Sequence, residues 1–347
     1  MILRELPAAR SAETERDDFV EETLRSKSQY GHFWNRSAII ELKQLPRKGA
    51  FLVDDTQQEI GAFKIRGAAV AVNEAVRVSA DRLLSVCAAS SGSFGMGIAS
   101  VAARLGLEST IFMPADASGE KKQRIRSFGA VVDDSEPTYE AARQKARIFA
   151  EQQQEKMFID GVGWEVFKGN ATLAAEVVES SLLTRGQSAV LVPLGIGSLA
   201  VPMSLFLRGS GFASDVFLVE PLTYGKFLAE HADGLRPAFT DTIADGAGVR
   251  ALPDLTRCLL DRVARAVIAL TEEEIIHAMR FLWEREHIQS EGAGALAMGA
   301  FLTRPELFDE YDQVWLIVTG RNIESSRFRS VLGSPNAAEV SSSVMSY

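Results

Sequence analysis

Short, wholly apolar runs recur along this chain, each followed by a polar loop and then by an amphipathic stretch. Ala50–Val53, Thr110–Met113, Ala189–Val192, Val216–Val219, Ala266–Ala269 and Val314–Val318 contain no charged residue. Runs this short are strands rather than helices. A strand that is apolar on both sides must be covered on both faces. Amphipathic helices between them are expected over Ala69–Val78, Phe94–Leu105, Ser118–Phe128, Tyr139–Gln154 and Ile275–His287, and a further helix starts near Asn170 or Thr172, either able to cap it. Thr271–Glu274 has the pattern of a capping box. Leu83–Ala88, Val131–Val132 and Met157–Ile159 read as further extended segments. The alternation predicts an α/β fold with a mainly parallel sheet covered by helices. Residues 1–30 read as a loose N-terminal arm, helical from Asp17 to Arg25, and Ser334–Tyr347 as a frayed tail.

Composition narrows the function. The chain has 347 residues, enough for two domains, and a net charge of −9 that disfavours nucleic acid and anionic membranes as partners. Two cysteines, Cys87 and Cys258, argue against a disulfide framework and fit a reducing cytoplasm. No targeting segment is expected at the N-terminus, where apolar and charged residues alternate. The uncharged run Gly186–Leu207 contains Pro193, Gly195, Gly197 and Pro202, so it divides into strand, glycine loop and helix rather than crossing a membrane. Four histidines lack metal-ligand spacing, and Lys121, Lys122, Arg124 and Arg126 read as a solvated helix face.

Candidate chemistry lies at strand-to-helix junctions. Lys64, in Gly61–Ala68, stands beside Phe63 at the entrance to a helix. Taken alone it reads as an ordinary surface lysine. Buried beside apolar groups, it would lose its proton easily and become a nucleophile toward a carbonyl. Gly195–Ile196–Gly197–Ser198–Leu199–Ala200 follows a strand and precedes a helix, the arrangement of a phosphate cradle. It also fits a dinucleotide fingerprint, with Glu220 ending the next strand, so a nicotinamide-dependent oxidoreductase is a competing reading. Ser90–Ser91–Gly92–Ser93 is a second anion cradle, suited to a substrate with its own carboxylate. Thr319–Asn322 follows the last strand, where open α/β sheets place ligands.

In their shared order these segments resemble the fold-type II pyridoxal-phosphate enzymes, within them the threonine/serine dehydratase branch of the tryptophan synthase beta-like family. The resemblance runs from about Phe51 to Leu332 and includes Met113–Pro114, Gly169–Thr172, Val219–Pro221, Ala244–Gly246 and Glu291–Ala295. It implies two open, twisted, mainly parallel sheets covered by helices. It also implies a large cofactor-binding domain of residues 1–69 and 165–347 and a small substrate-side domain of residues 70–164. Lys64 would carry pyridoxal 5'-phosphate as a Schiff base and move the proton at the substrate Cα. Phe63, Ser93, Gly195, Ile196, Gly197, Ser198, Leu199, Glu291 and Thr319 would complete the cofactor site, with Thr319 at the pyridine nitrogen. Ser90, Ser91, Gly92, Ser93 and Phe94 would bind the substrate, and Ser91 would serve the opposite face in catalysis.

The implied reaction is β-elimination from a small β-hydroxy amino acid such as threonine or serine, giving a 2-oxo acid and ammonia. Alternatives on the same fold are β-replacement, racemisation, elimination from another β-substituted amino acid, and a scaffold that only binds the cofactor. A homodimer and a cytoplasmic location are implied as well, and the regulatory domain of biosynthetic threonine enzymes is expected to be absent. Several positions depart from the family pattern: Ile60 and Ala62 replace threonine and serine, Ser93 replaces asparagine, and Phe94 replaces histidine. The glycine loop is interrupted by Ile196 and Ser198. Lys226 stands where some members have a cation-binding aspartate, so no such metal site is expected.

Overall fold

The computed structural model describes residues 2–5, 18–43, 49–79, 84–152, 155–212, 214–232 and 234–333. In chain order its strands are β1 (Ile2–Glu5), β2 (Ala38–Glu41), β3 (Ala50–Asp54), β4 (Ser85–Ala89), β5 (Glu108–Pro114), β6 (Val131–Glu136), β7 (Lys156–Phe158), β8 (Ser188–Pro193), β9 (Ser214–Pro221), β10 (Ala264–Leu270) and β11 (Gln313–Val318). They form a seven-stranded sheet, ordered β1-β10-β9-β8-β11-β3-β2, and a four-stranded sheet, ordered β6-β5-β4-β7. The large sheet is parallel from β10 to β3 and has antiparallel strands at both edges. The small sheet is parallel throughout.

The period of two along each strand explains how one run serves two cores. Phe51, Val53, Val190, Val192, Trp315 and Ile317 face one side of the large sheet, under the helices Trp164–Glu179 and Ala200–Gly209. Leu52, Ala189, Leu191, Val314, Leu316 and Val318 face the other, under Glu272–Glu286 and Gly292–Thr303. Phe51 and Trp315, on neighbouring strands, stack with ring centroids 4.6 Å apart. In the small sheet Val86, Ala88, Ile111 and Met113 face the helix Ser93–Leu105, and Cys87, Ala89 and Phe112 face Tyr139–Glu151.

The helix Lys64–Val78 joins the two layers, packing on both Trp164–Glu179 and Ser93–Leu105. Its crossing with Trp164–Glu179 is close because glycines meet there: a Cβ on Gly169 would lie 2.3 Å from the Arg66 carbonyl oxygen. Among the described residues no helix is long and apolar enough to cross a membrane. The uncharged run resolves into β8, a loop and the helix Ala200–Gly209.

Three expectations are corrected. The helix expected to start at Asn170 or Thr172 starts at Trp164, because both residues are turned inward. The Asn170 side chain accepts from the Gly67 N–H and donates to the Ser198 carbonyl, and the Thr172 hydroxyl donates back to the Gly169 carbonyl. The loose arm does not extend to residue 30: Phe19–Tyr30 is a helix packed on Trp164–Glu179 and Ala200–Gly209, with Phe19 buried. Ile2–Glu5 is an edge strand. Residues 6–17 and the tail Ser334–Tyr347 lie outside the described residues. The basic helix, Gly119–Ser127, is not solvated all along its charged face: Lys122 is buried against Asp134 and the Ala115 carbonyl, and Arg124 donates to Asn322. The expected capping box is present at Thr271 and Glu274.

Candidate active site

The C-terminal ends of three adjacent parallel strands, β8, β11 and β3, deliver the glycine loop, Thr319 and the segment leading to Lys64. From the small sheet, β4 and β5 deliver the Ser90 loop and Pro114. Between them lies a cleft of about 440 Å³. It is lined by Phe63, Lys64, Ser90–Phe94, Gly195–Leu199, Glu291 and Thr319, so every sequence-derived site residue faces one cavity. A neighbouring cavity of about 310 Å³ behind Arg124 and Asn322 contains none of them.

Backbone hydrogen bonds hold the floor of the cleft together. The Phe63 N–H donates to the Thr319 carbonyl at 3.0 Å, Arg321 N–H to Gly61 O at 2.9 Å, and Glu291 N–H to Gly320 O at 3.0 Å. Lys64 is therefore the first helical residue on a junction tied to β11. Its side chain is half-buried and lines the cleft. Burial lowers its pKa to about 8, with the nearby Glu291 charge pulling the other way. Its Nζ lies 4.4 Å from the centre of the Phe63 ring. Glu291 is itself pushed above the usual carboxylate range by burial and by Asp245, against the opposing pull of Lys121, Lys64 and Arg124.

Both loops have the donors an anion needs. No acceptor among the described residues takes the amide hydrogens of Gly195, Ile196, Gly197, Ser198 or Leu199, at the start of the helix Ala200–Gly209. The loop also needs its glycines: Gly197 has φ +81°, and a Cβ on Gly195 would approach the Gly246 carbonyl at 3.1 Å. A phosphate fits this donor set, and a carbonyl fits the low-pKa amine of Lys64, so the residues present suit pyridoxal phosphate. In the other loop the Ser90 hydroxyl accepts from Gly92 and Gly95 N–H groups, at 3.2 and 2.9 Å. It shapes the loop, leaving the N–H groups of Ser91, Ser93 and Phe94 untaken among the described residues. Ser91 is exposed at the mouth, and the Ser93 hydroxyl accepts from Asn322 Nδ2 at 2.8 Å.

Supporting residues escaped the sequence reading. Arg66, two residues after Lys64, is fully buried, with paired hydrogen bonds to Asp55 (2.9 and 2.8 Å) and to Glu176 (2.8 and 2.9 Å). Burial disfavours its charge, but the two carboxylates outweigh that and raise its pKa. Asn170 links the Lys64 helix to the glycine loop through its two bonds, at 3.0 and 2.7 Å. Lys121 crosses from the small-sheet side to Asp245 at 2.5 Å, over Gly92. None carries a local signal that separates it from a surface residue. Glu220, the candidate ribose-binding acid, is fully buried and accepts from Lys226 Nζ and from the Phe227 and Leu228 N–H groups. It offers no carboxylate to a dinucleotide, so the oxidoreductase reading loses its ribose-binding acid.

The chain matches the family described as pyridoxal-phosphate dependent enzyme over residues 33–320. It is 28% identical over 323 residues to an L-threo-3-hydroxyaspartate ammonia-lyase of a Pseudomonas species, covering 90% of this chain and 97% of that protein. It is 27% identical to a serine racemase of Dictyostelium discoideum over 297 residues, 84% of this chain and 90% of that one. A catabolic L-threonine dehydratase of Staphylococcus aureus is 28% identical over 321 residues, 88% and 90% of the two chains. Among solved structures, the processed threonine deaminase isoform 2 of Solanum lycopersicum superposes with a TM-score of 0.82 at 21% identity, covering 96% of this chain and 92% of that one. At that identity the likeness is one of fold.

Proposed function

We propose that this chain, a member of the pyridoxal-phosphate dependent enzymes, eliminates the β-substituent of a small β-hydroxy amino acid and yields a 2-oxo acid and ammonia. The observation that carries the reading is the convergence of an amine nucleophile, two anion cradles and a neutral hydroxyl in one cleft. Pyridoxal phosphate, when bound, supplies the electron sink for a carbanion at the substrate Cα.

The residues of the chain do the rest. With its pKa lowered to about 8, Lys64 would hold the cofactor through its amine and would move the proton at the substrate Cα. The untaken N–H groups of Gly195–Leu199 hold the phosphate. Those of Ser91, Ser93 and Phe94, at the start of the helix Ser93–Leu105, hold the substrate carboxylate and orient Cα. Thr319 would offer the pyridine nitrogen a neutral hydroxyl, which does not favour a protonated ring as a carboxylate would. That suits elimination, where electrons leave with the β-hydroxyl, better than transamination. Phe63 and Phe94 supply apolar surface to the cleft wall.

A second reading, racemisation, is favoured by Ser91, whose exposed hydroxyl is a second proton-transfer group, and by the similarity to a serine racemase. The deciding experiment incubates the holoenzyme with serine, threonine and 3-hydroxyaspartate and follows 2-oxo acid, ammonia and enantiomer composition together. Release of 2-oxo acid with ammonia is expected. Enantiomer exchange without release would replace elimination by racemisation, and neither product from any substrate would overturn both. Lys64→Ala is expected to abolish the absorbance band of the protein-bound cofactor. We further place the protein in the cytoplasm as a homodimer, a reading supported by its free cysteines and its family; light scattering should give twice the mass of one chain.

A further inference from the structure

Beneath the glycine loop lies a buried pair that the proposed chemistry does not use. Lys226 and Glu220 are 4% and 0% exposed, and Lys226 Nζ lies 3.3 Å from Glu220 Oε2. The same Nζ donates to the carbonyl of Leu194 at 3.2 Å. Leu194 ends the link from β8 and directly precedes Gly195. Glu220 is anchored in turn: it accepts from the Leu228 N–H at 2.9 Å and the Phe227 N–H at 3.4 Å. The Leu194 N–H is also fixed, donating to the Val219 carbonyl at 2.7 Å.

We infer that Lys226 is a positioning residue for the cofactor phosphate, because by holding the Leu194 carbonyl it aims the Gly195 N–H into the cleft. In a trans peptide the carbonyl and the following N–H point in opposite directions, and the described chain has no cis peptide. A carbonyl drawn down onto Lys226 therefore turns the next N–H away from it, toward the side on which Gly195 lines the cleft. Gly195 has no side chain to hold this peptide plane, so a partner must. A buried amine costs stability unless it is paired, which explains why Glu220 stands beside it. Burial presses the Glu220 pKa up and the Lys226 pKa down, and their mutual attraction opposes both shifts.

The inference rests on the reading that Gly195–Leu199 takes the phosphate, and the test separates the two. The full-length chain is stripped of cofactor and titrated with pyridoxal 5'-phosphate and with pyridoxal, which reacts with Lys64 but lacks the phosphate. The parent should bind the phosphorylated form far more tightly. Lys226→Met should weaken pyridoxal 5'-phosphate binding by roughly tenfold, as loss of one well-placed donor does, and leave pyridoxal binding unchanged. Because Lys226→Met strands Glu220, the double variant Glu220→Gln with Lys226→Met is measured as well. It removes both charges at once and should show the same selective loss. Equal weakening toward both ligands would mean general structural damage and overturn the inference, as would unchanged binding of both. A parent indifferent to the phosphate would instead overturn the cradle reading, and the inference with it.

Discussion

Lys64 owes its reactivity to its surroundings. Its amine pKa lies at about 8 because burial penalises the ammonium, and Glu291 keeps it from falling further. Below that pH the amine is protonated and inert; above it the amine is free to attack. The rate at which the stripped chain captures pyridoxal phosphate should therefore rise with pH, with a midpoint at about 8, and Glu291→Gln should move the midpoint down. A midpoint at the ordinary lysine value of 10.5 would show that the amine is not shielded. Arg66, two residues on, is needed for a different reason. Its guanidinium is the cation shared by two buried carboxylates, Asp55 and Glu176, and Arg66→Met leaves both without it. The cost expected is about 3–5 kcal/mol, read from urea unfolding; a loss below about 1 kcal/mol would mean the cluster is no more than a surface-like ion pair.

The helix Lys64–Val78 positions the lysine only as well as its neighbours position the helix. Its crossing with Trp164–Glu179 depends on backbone meeting backbone at Gly67 and Gly169. A Cβ on Gly169 would meet the Arg66 carbonyl at 2.3 Å, and a carbonyl cannot rotate aside as a side chain can. Gly169→Val should cost about 1–3 kcal/mol or more and displace Lys64, so thermal stability and cofactor affinity should fall together. Full cofactor affinity in a destabilised variant would show that the crossing serves stability alone. Legibility also divides at this scale. The capping box at Thr271 was readable because both partners are three residues apart. Asn170 looks like a cap in one dimension because its partners, Gly67 and Ser198, are remote in sequence. The edge strands β1 and β2 carry no sequence signal because they are short and mixed in polarity, so only their pairing makes them strands.

Across the whole molecule, Lys121 and Asp245 connect the two sides of the cleft at its mouth. The pair is partly exposed, at 14% and 43%, so its contribution is bounded at about 1 kcal/mol. Lys121→Ala should speed cofactor release by up to about fivefold, and high salt should bring the parent toward the variant's rate. A parent rate indifferent to salt would exclude the latch. The same lysine shows where sequence reading stops. Strand runs, the glycine and serine loops after them and the order of the cofactor-binding segments were all legible, because each is written in contiguous residues whose period or backbone freedom is local. That much sufficed to bring Lys64, Ser90–Phe94, Gly195–Leu199 and Thr319 to strand ends and to the family. Which charged side chains turn inward was not legible. Arg66, Lys121 and Lys122 look like any surface cation in one dimension, and each is buried or bridged by an acid or carbonyl that folding brings to it. Burial of a charge is decided by its partners, and those partners come from other elements of the fold.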